Sequence, residues 1–252
     1  VTAVLREKGT DEALVREILK DLGGALDSIG CTLCGGHTEI TVGLDRPILI
    51  GQMLGEVETD RLVRKENARP GDRILLTKGV PIEGTAIMAG EREDLLSGHF
   101  PDDQIERARS FLDDPGISVV KEAMAACDAG GVHAMHDPTE GGVATGLWEL
   151  GRATDLGMRV DADRIPMVEP GLSFCRHLGL EPLGVISSGT LLICAAEDRT
   201  GEIVERINEK GIECAEIGCM RPEEEGITLV RNGRKETMPT YHQDEITRLW
   251  DD

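Results

Sequence analysis

The stretch Gly131-Val-His-Ala-Met-His-Asp-Pro-Thr-Glu-Gly-Gly-Val-Ala-Thr-Gly-Leu-Trp-Glu-Leu150 decides how the rest of the chain is read. Val132 to Met135 reads as a short strand, followed by an acidic turn and a helix reached through two glycines. Apolar residues at Val143, Leu147 and Leu150 recur at spacings of three and four, with Ala144 and Trp148 beside them, which predicts the helix. Asp137 or Thr139 can cap its first turn, and Pro138 has φ pre-set for a helix start. Gly141 and Gly142 strip the turn of side chains, so backbone N–H groups could meet a phosphate or carboxylate directly. Glycine pairs also mark ordinary turns, so a tight strand-to-helix connection stands beside the anion site as a reading.

Around this stretch lies a chain of 252 residues, long enough for one large or two modest domains. Apolar residues make up 40%, but there are only three Phe, two Trp and one Tyr. The core must therefore rest on aliphatic side chains, which suits a layered α/β or α+β protein, and no aromatic platform for single-stranded nucleic acid is visible. A net charge of −20 argues against a nucleic-acid or anionic-membrane partner. It leaves room for an anionic nucleotide, because Mg²⁺ held by carboxylates can bridge acid to phosphate. No apolar run approaches the ~20 residues of a membrane span, and no signal-peptide pattern opens the chain. Seven scattered cysteines fit reduced thiols in a cytoplasmic protein better than a disulfide framework.

In chain order, Val1 to Leu5 looks like a strand already under way, which places the start inside a larger natural chain. Thr10 to Ile29 follows as a helix, with Leu14, Ile18, Leu22 and Leu26 every four residues. After Cys31-Thr-Leu-Cys34 and Gly35-Gly-His-Thr-Glu39 come two expected strands, Ile40 to Gly43 and Pro47 to Val57. Their short polar connection predicts an antiparallel hairpin. The charged run Arg61 to Arg69 and the turn Pro70-Gly71-Asp72 place a domain boundary near Asn67, giving domains 1–66 and 67–252. Beyond it, strands are expected at Arg73–Thr77, Met158–Val160, Thr190–Ala195 and Cys214–Cys219. Helices are expected at 82–89, 102–112, 117–127, 168–178, 200–210 and 242–250. Ile227–Val230 and Arg234–Thr237 form a hairpin around Asn232-Gly233.

The order of helix, GGHTEIT, ARPGDRILLTKG, GGVHAMHDPTEGGVATGLWEL, helix and SSGTLLICA resembles the aminoimidazole ribonucleotide synthetase superfamily. That superfamily includes selenophosphate synthetases, thiamine-monophosphate kinases and the hydrogenase-maturation carbamoyl dehydratases. HDPTEGGVATGLWELG is most similar to the last of these, and the likeness runs from Val1 to about Met238. It implies an α+β fold of two domains. The first contributes strands to a barrel shared with a second subunit, and the second packs helices on a mixed sheet. It also implies ATP and Mg²⁺ as cofactors and ATP-driven activation of an oxygen on an amide-like or phosphate-accepting substrate. On the resemblance, Gly35, Gly36, His37 and Thr38 lie near nucleotide phosphates. Asp137, Thr139, Gly141 and Gly142 face the cleft, and Ser188 and Gly189 form a small-residue turn before a C-terminal strand. The family's Asp-Asp metal motif is expected upstream of Val1. His37 stands where the dehydratases carry an acid, and the chain ends Leu-Trp-Asp-Asp without their terminal cysteine.

Each candidate carries a plain structural alternative. His37 can contact a phosphate or a metal, or simply end a turn. Asp137 can be a metal ligand, a base or simply the helix cap. His133 and His136, three apart on a strand, point to opposite faces and share no metal. Cys31-x-x-Cys34 invites a zinc or redox reading but lacks a second ligand pair, so small core thiols explain it better. Lys78 can reach a phosphate or stand exposed at a strand end. The resulting expectation is an ATP-dependent phosphoryl-transfer enzyme, homodimeric through its N-terminal strands, with Asp137, Thr139 and His37 as catalytic candidates. No metal ligand is assigned, and neither nucleic acid nor membrane is expected as a partner. The alternative is a catalytically silent dimeric scaffold of the same fold.

Overall fold

Thr2-Ala-Val-Leu-Arg6 forms β1, turning Ala3 and Leu5 inward while its other residues stay partly exposed. Asp11 then caps α1 (Glu12–Ser28), its side chain accepting the Leu14 N–H at 2.9 Å. β2 (His37–Thr41) returns parallel to β1, and β3 (Ile48–Ile50) pairs antiparallel on the other side of β1. The order is therefore β2-β1-β3. This corrects the expected hairpin: β2 and β3 are not partners, because β1 lies between them. A parallel return needs a long crossover, and α1 supplies it. Only three residues of the expected strand Pro47–Val57 join the sheet. The computed structural model describes residues 1–250, and contacts divide the chain into two units, Val1–Asp60 and the residues from Arg61 onward. Arg61 to Glu66, given to the first domain by sequence, fall in the second unit, where Lys65 reaches His136.

The second unit is built on β4 (Arg73–Thr77), whose Ile74 to Thr77 are all buried. Around its sheet lie α2 (Ile82–Glu91), α3 (Glu93–Leu96), α4 (Asp102–Arg109) and α5 (Val120–Ala129). β5 (Val132–His136), α6 (Gly142–Thr154), β6 (Gly157–Asp161), α7 (Gly171–Leu178) and β7 (Leu192–Ala195) follow. α8 (Thr200–Asn208), β8 (Cys214–Arg221), β9 (Ile227–Arg231) and β10 (Arg234–Thr237) complete it. The seven strands are ordered β10-β9-β6-β8-β4-β7-β5, antiparallel except for β6 with β9. Asn232 (φ 50°) and Gly233 (φ 72°) are both left-handed, as a two-residue hairpin turn between β9 and β10 requires.

Alternation along the central strands divides the core. Leu75 and Ile193 pack with Ala125, Ala126 and Ala129 of α5 and with Ile203 and Ile207 of α8. Ile74, Leu76, Leu192 and Cys194 pack on the other face with Val143, Ala144, Leu147 and Leu150 of α6. Helices thus cover both faces of a mixed sheet, an α+β arrangement. A further cluster joins Met88, Leu96, Ile105 and Phe174 to Ile246 and Leu249 near the chain's end. Among the described residues no helix is long and apolar enough to cross a membrane.

Candidate active site

Strand register brings the chemistry-bearing turns to one edge of the larger sheet. Leu76 of β4 pairs with Leu192 of β7, Leu192 pairs with His136 of β5, and Thr77 pairs with Cys214 of β8. The ends of β4 and β5 and the starts of β7 and β8 therefore lie side by side. Lys78-Gly79, Asp137-Pro-Thr139 and Ser187-Ser-Gly189 all emerge there. Two of these turns are tied directly, since the Ser187 N–H donates to the Thr139 carbonyl at 3.3 Å.

Within the acidic turn, Asp137, Thr139 and Glu140 are exposed while Pro138 is buried. Pro138 packs on α6 where Gly146 has no side chain; a Cβ there would meet the proline ring at 2.6 Å. Glu140 is held below the ordinary carboxylate range by its own backbone N–H and then by the Thr139 hydroxyl. Neither Asp137 nor Thr139 is the cap of α6. The cap is Gly141 in the left-handed conformation, and its N–H donates to Oδ2 of Asp244 at 2.6 Å. Gly142 N–H donates to the Thr139 carbonyl at 3.0 Å.

The two glycines prove to be packing residues. Gly141 and Gly142 are both buried. A Cβ on Gly142 would lie 2.4 Å from the Leu183 carbonyl oxygen and 2.6 Å from that of Val185. The open anion approach expected at this helix end is corrected accordingly: backbone crowds Gly142, and the chain's own carboxylate occupies the Gly141 donor. Asp244 is 8% exposed and also accepts the Ile246 N–H at 2.9 Å. Burial pushes its carboxyl above the ordinary range, against the opposing pull of N–H groups from Ile246, Gly141 and Ile186. Sequence reading missed Asp244. It reads as a local cap for the final short helix, and nothing in the sequence links it to a glycine 103 residues earlier.

Other candidates resolve into pairs. His133 Nδ1 lies 2.8 Å from Asp72, and His136 Nε2 lies 2.8 Å from Glu149. Lys78 is not an exposed strand-end lysine; its side chain is 7% exposed, and it meets the fully buried Glu122 at 2.8 Å. Glu122 was not foreseen either, since its place on α5 reads as a solvent position. In the first unit Gly35, Gly36, His37 and Thr38 are all exposed. His37 lies 3.3 Å from Glu39, and its N–H donates to the Val1 carbonyl at 3.1 Å. Gly36 permits that approach, because a Cβ would fall 1.8 Å from the same carbonyl oxygen, whereas Gly35 faces open space. All seven cysteines are free, and burial pushes the thiols of Cys175, Cys194 and Cys214 up to about 12. Among the described residues no three His, Cys, Asp or Glu side chains converge as a metal site, so Cys31 and Cys34 gather no further ligands.

Known proteins are similar to this chain. The chain is 28% identical over 218 residues to carbamoyl dehydratase HypE of Rhizobium leguminosarum bv. viciae, covering 84% of this chain and 59% of the relative. It is 33% identical over 195 residues to carbamoyl dehydratase HypE of Cupriavidus necator, covering 76% and 52%. The chain thus spans between half and two thirds of these relatives' length. A crystal structure of hydrogenase maturation protein HypE in complex with ATP superposes with a TM-score of 0.73 at 21% identity, over 97% of this chain and 73% of that one. The family model described as "AIR synthase related protein, C-terminal domain" matches residues 69–230. That match runs from before β4 into β9 and takes in every turn at the sheet edge, and this protein belongs to the AIR synthase related family.

Proposed function

We propose that this chain is the larger part of an ATP-dependent phosphoryl-transfer enzyme, and that Asp137 and Thr139 meet its acceptor substrate. The observation that carries this reading is the position of Asp137. Capping α6 would have explained an aspartate there, but the cap is Gly141 and the acid that meets the helix end is Asp244. Asp137 is left exposed on a turn that the buried Pro138 and the Ser187 N–H bond to Thr139 hold in place, with Thr139 and Glu140 close by in sequence. Support also comes from the curated relatives named as dehydratases and from the solved relative that holds ATP.

In this reading the exposed turn Gly35–Thr38 borders the nucleotide phosphates, with Gly35 offering unobstructed backbone and His37 a ring donor. Asp137 acts as the base for the proton the acceptor gives up as its oxygen bonds to phosphorus, from nitrogen in an amide-like acceptor or from oxygen in a hydroxyl, and Thr139 orients that acceptor. Catalysis of this kind is mostly positioning and charge neutralisation. The described residues supply no cluster that would hold Mg²⁺ by themselves, and no step proposed here runs through a metal. The first unit's exposed strands are the proposed seam of a homodimer, and the free cysteines accord with a cytoplasmic setting.

The test is ATP turnover by the full-length protein against carboxamides, carbamoyl thiolates, ribonucleotides and selenide. With the acceptor that responds, Asp137→Asn lowers kcat by about 100-fold or more while leaving the melting temperature within a few degrees. Unchanged turnover per folded molecule removes Asp137 from the reaction.

A further inference from the structure

Lys78 ends β4 at the shared sheet edge, and its surroundings are not those of an ordinary ion pair. Four oxygens approach its Nζ: Ser118 carbonyl at 2.7 Å, Glu122 Oε1 at 2.8 Å, Gly189 carbonyl at 3.1 Å and Gly116 carbonyl at 3.4 Å. An ammonium has three N–H donors, so one oxygen exceeds what hydrogen bonding alone requires. The oxygens come from three separate segments: the 116–118 loop, α5 and the turn before β7. Three carbonyl dipoles and one carboxylate around a single positive charge form the kind of shell that replaces the water of a monovalent cation. Thr77 Oγ1 also donates to Glu122 Oε1, at 3.4 Å, while Glu122 Oε2 is buried without a partner.

The backbone gives the same indication. Lys78 has φ 57°, a left-handed conformation that suits glycine and strains a lysine. Its N–H donates to the Glu213 carbonyl at 2.8 Å, which fixes the bend. Lysine is kept in a glycine's conformation, and its charge is what a glycine would lack. A cavity of ≈ 470 Å³ opens beside the pair, lined by Lys78, Gly116, Ser118 and Glu122, and gives small ions a route from solvent.

We propose that the Lys78 ammonium is a tethered monovalent cation, occupying a four-oxygen site that would otherwise take a potassium or ammonium ion. The tether makes the sheet edge independent of a diffusible ion. It holds the Gly189 carbonyl, and hence the turn whose Ser187 N–H is bonded to Thr139. This cation site does not depend on which reaction the edge performs.

The test uses Lys78→Gly in the full-length protein, since glycine removes the charge and accepts the positive φ without strain. Melting is measured in potassium chloride, ammonium chloride and choline chloride at equal ionic strength. In choline the variant should melt on the order of 10 °C below the parent, because Glu122 is left buried and unpaired. Potassium or ammonium should restore at least half of that loss, and the parent should melt alike in all three salts. The double variant Lys78→Gly/Glu122→Gln should show no such selectivity. Equal melting of Lys78→Gly in the three salts would overturn the proposal. So would equal rescue of the double variant, potassium-selective stabilisation of the parent, or failure of Lys78→Gly to fold in any of the salts.

Discussion

Residues 1–60 and the residues from Arg61 onward use the same materials, short aliphatic strands and amphipathic helices, with opposite results. In the second unit Ile74, Leu75, Leu76, Leu192 and Ile193 are at most 0% exposed, and helices cover both sheet faces. In the first, the buried apolar side chains are Ala3 and Leu5, while Val42 is 72% exposed, Ile40 57% and Ile50 58%. α1 carries Leu14, Ile18, Leu22 and Leu26 in register, yet none of its residues is fully buried. At about 25 cal/mol per Å² of buried apolar surface, a unit that buries so little has little to set against chain entropy. The comparison teaches that the two units' candidate turns differ in kind. The acidic turn stands on a self-sufficient core, whereas the Gly35–Thr38 turn stands on a sheet whose apolar residues are largely exposed.

Paired glycine substitutions probe that difference most severely. Gly142→Val adds a branched side chain where a Cβ already meets two carbonyl oxygens and φ is +64°, so it should cost roughly 3 kcal/mol or more. Gly35→Ala, placed in open space, should change stability by no more than about 0.5 kcal/mol and, on the proposed function, report only on nucleotide affinity. Thermal unfolding of both variants checks this. Equal costs would erase the distinction between a packing glycine and a ligand-facing one.

Association comes next in size. The exposed strand residues are proposed to pair with a second copy, and long apolar edges left bare promote aggregation. Ile40→Lys/Ile50→Lys should weaken dimerisation at least tenfold in sedimentation equilibrium and leave the second unit's melting unchanged. A parent protein that is monomeric at micromolar concentration would break this half of the comparison.

A smaller effect is expected at Asp244, which ties the start of α6 to the chain's end. Because burial raises its folded-state pKa, the native state keeps this proton more tightly than the unfolded chain does. Stability therefore falls as pH rises from the ordinary carboxylate range through the folded value. Asp244→Asn should remove that slope and cost about 1–2 kcal/mol at low pH, where the lost hydrogen-bond geometry is all that differs. Denaturant unfolding between pH 3 and 7 measures both, and a slope that survives the substitution would assign it to another group.

How far these features were legible in the sequence follows the range of the interaction behind them. The strand Arg73–Thr77 and the Asn232-Gly233 hairpin depend on neighbouring residues, and their limits were readable from pattern and turn chemistry. The partnership of β2 and β3 was misread because β1 enters between them from 30 residues and more away. A cap was one of the readings open for Asp137 because capping is local in most helices; the acid that meets the helix end, Asp244, is brought in by Ile246 and Leu249 packing into the core. Lys78 looked exposed because strand-end lysines usually are, and the carbonyls that enclose it come from two distant turns. The resemblance pointed to the candidate turns, but what surrounds their glycines was set by what the fold places against them.

Hydrogen exchange on the full-length protein, measured above and below the concentration at which it associates, tests the comparison most directly. Amides of β1, β2 and β3 should exchange at least tenfold faster on dilution, while those of β4, β7 and β8 keep their protection. Equal, concentration-independent protection of both sheets would contradict the account.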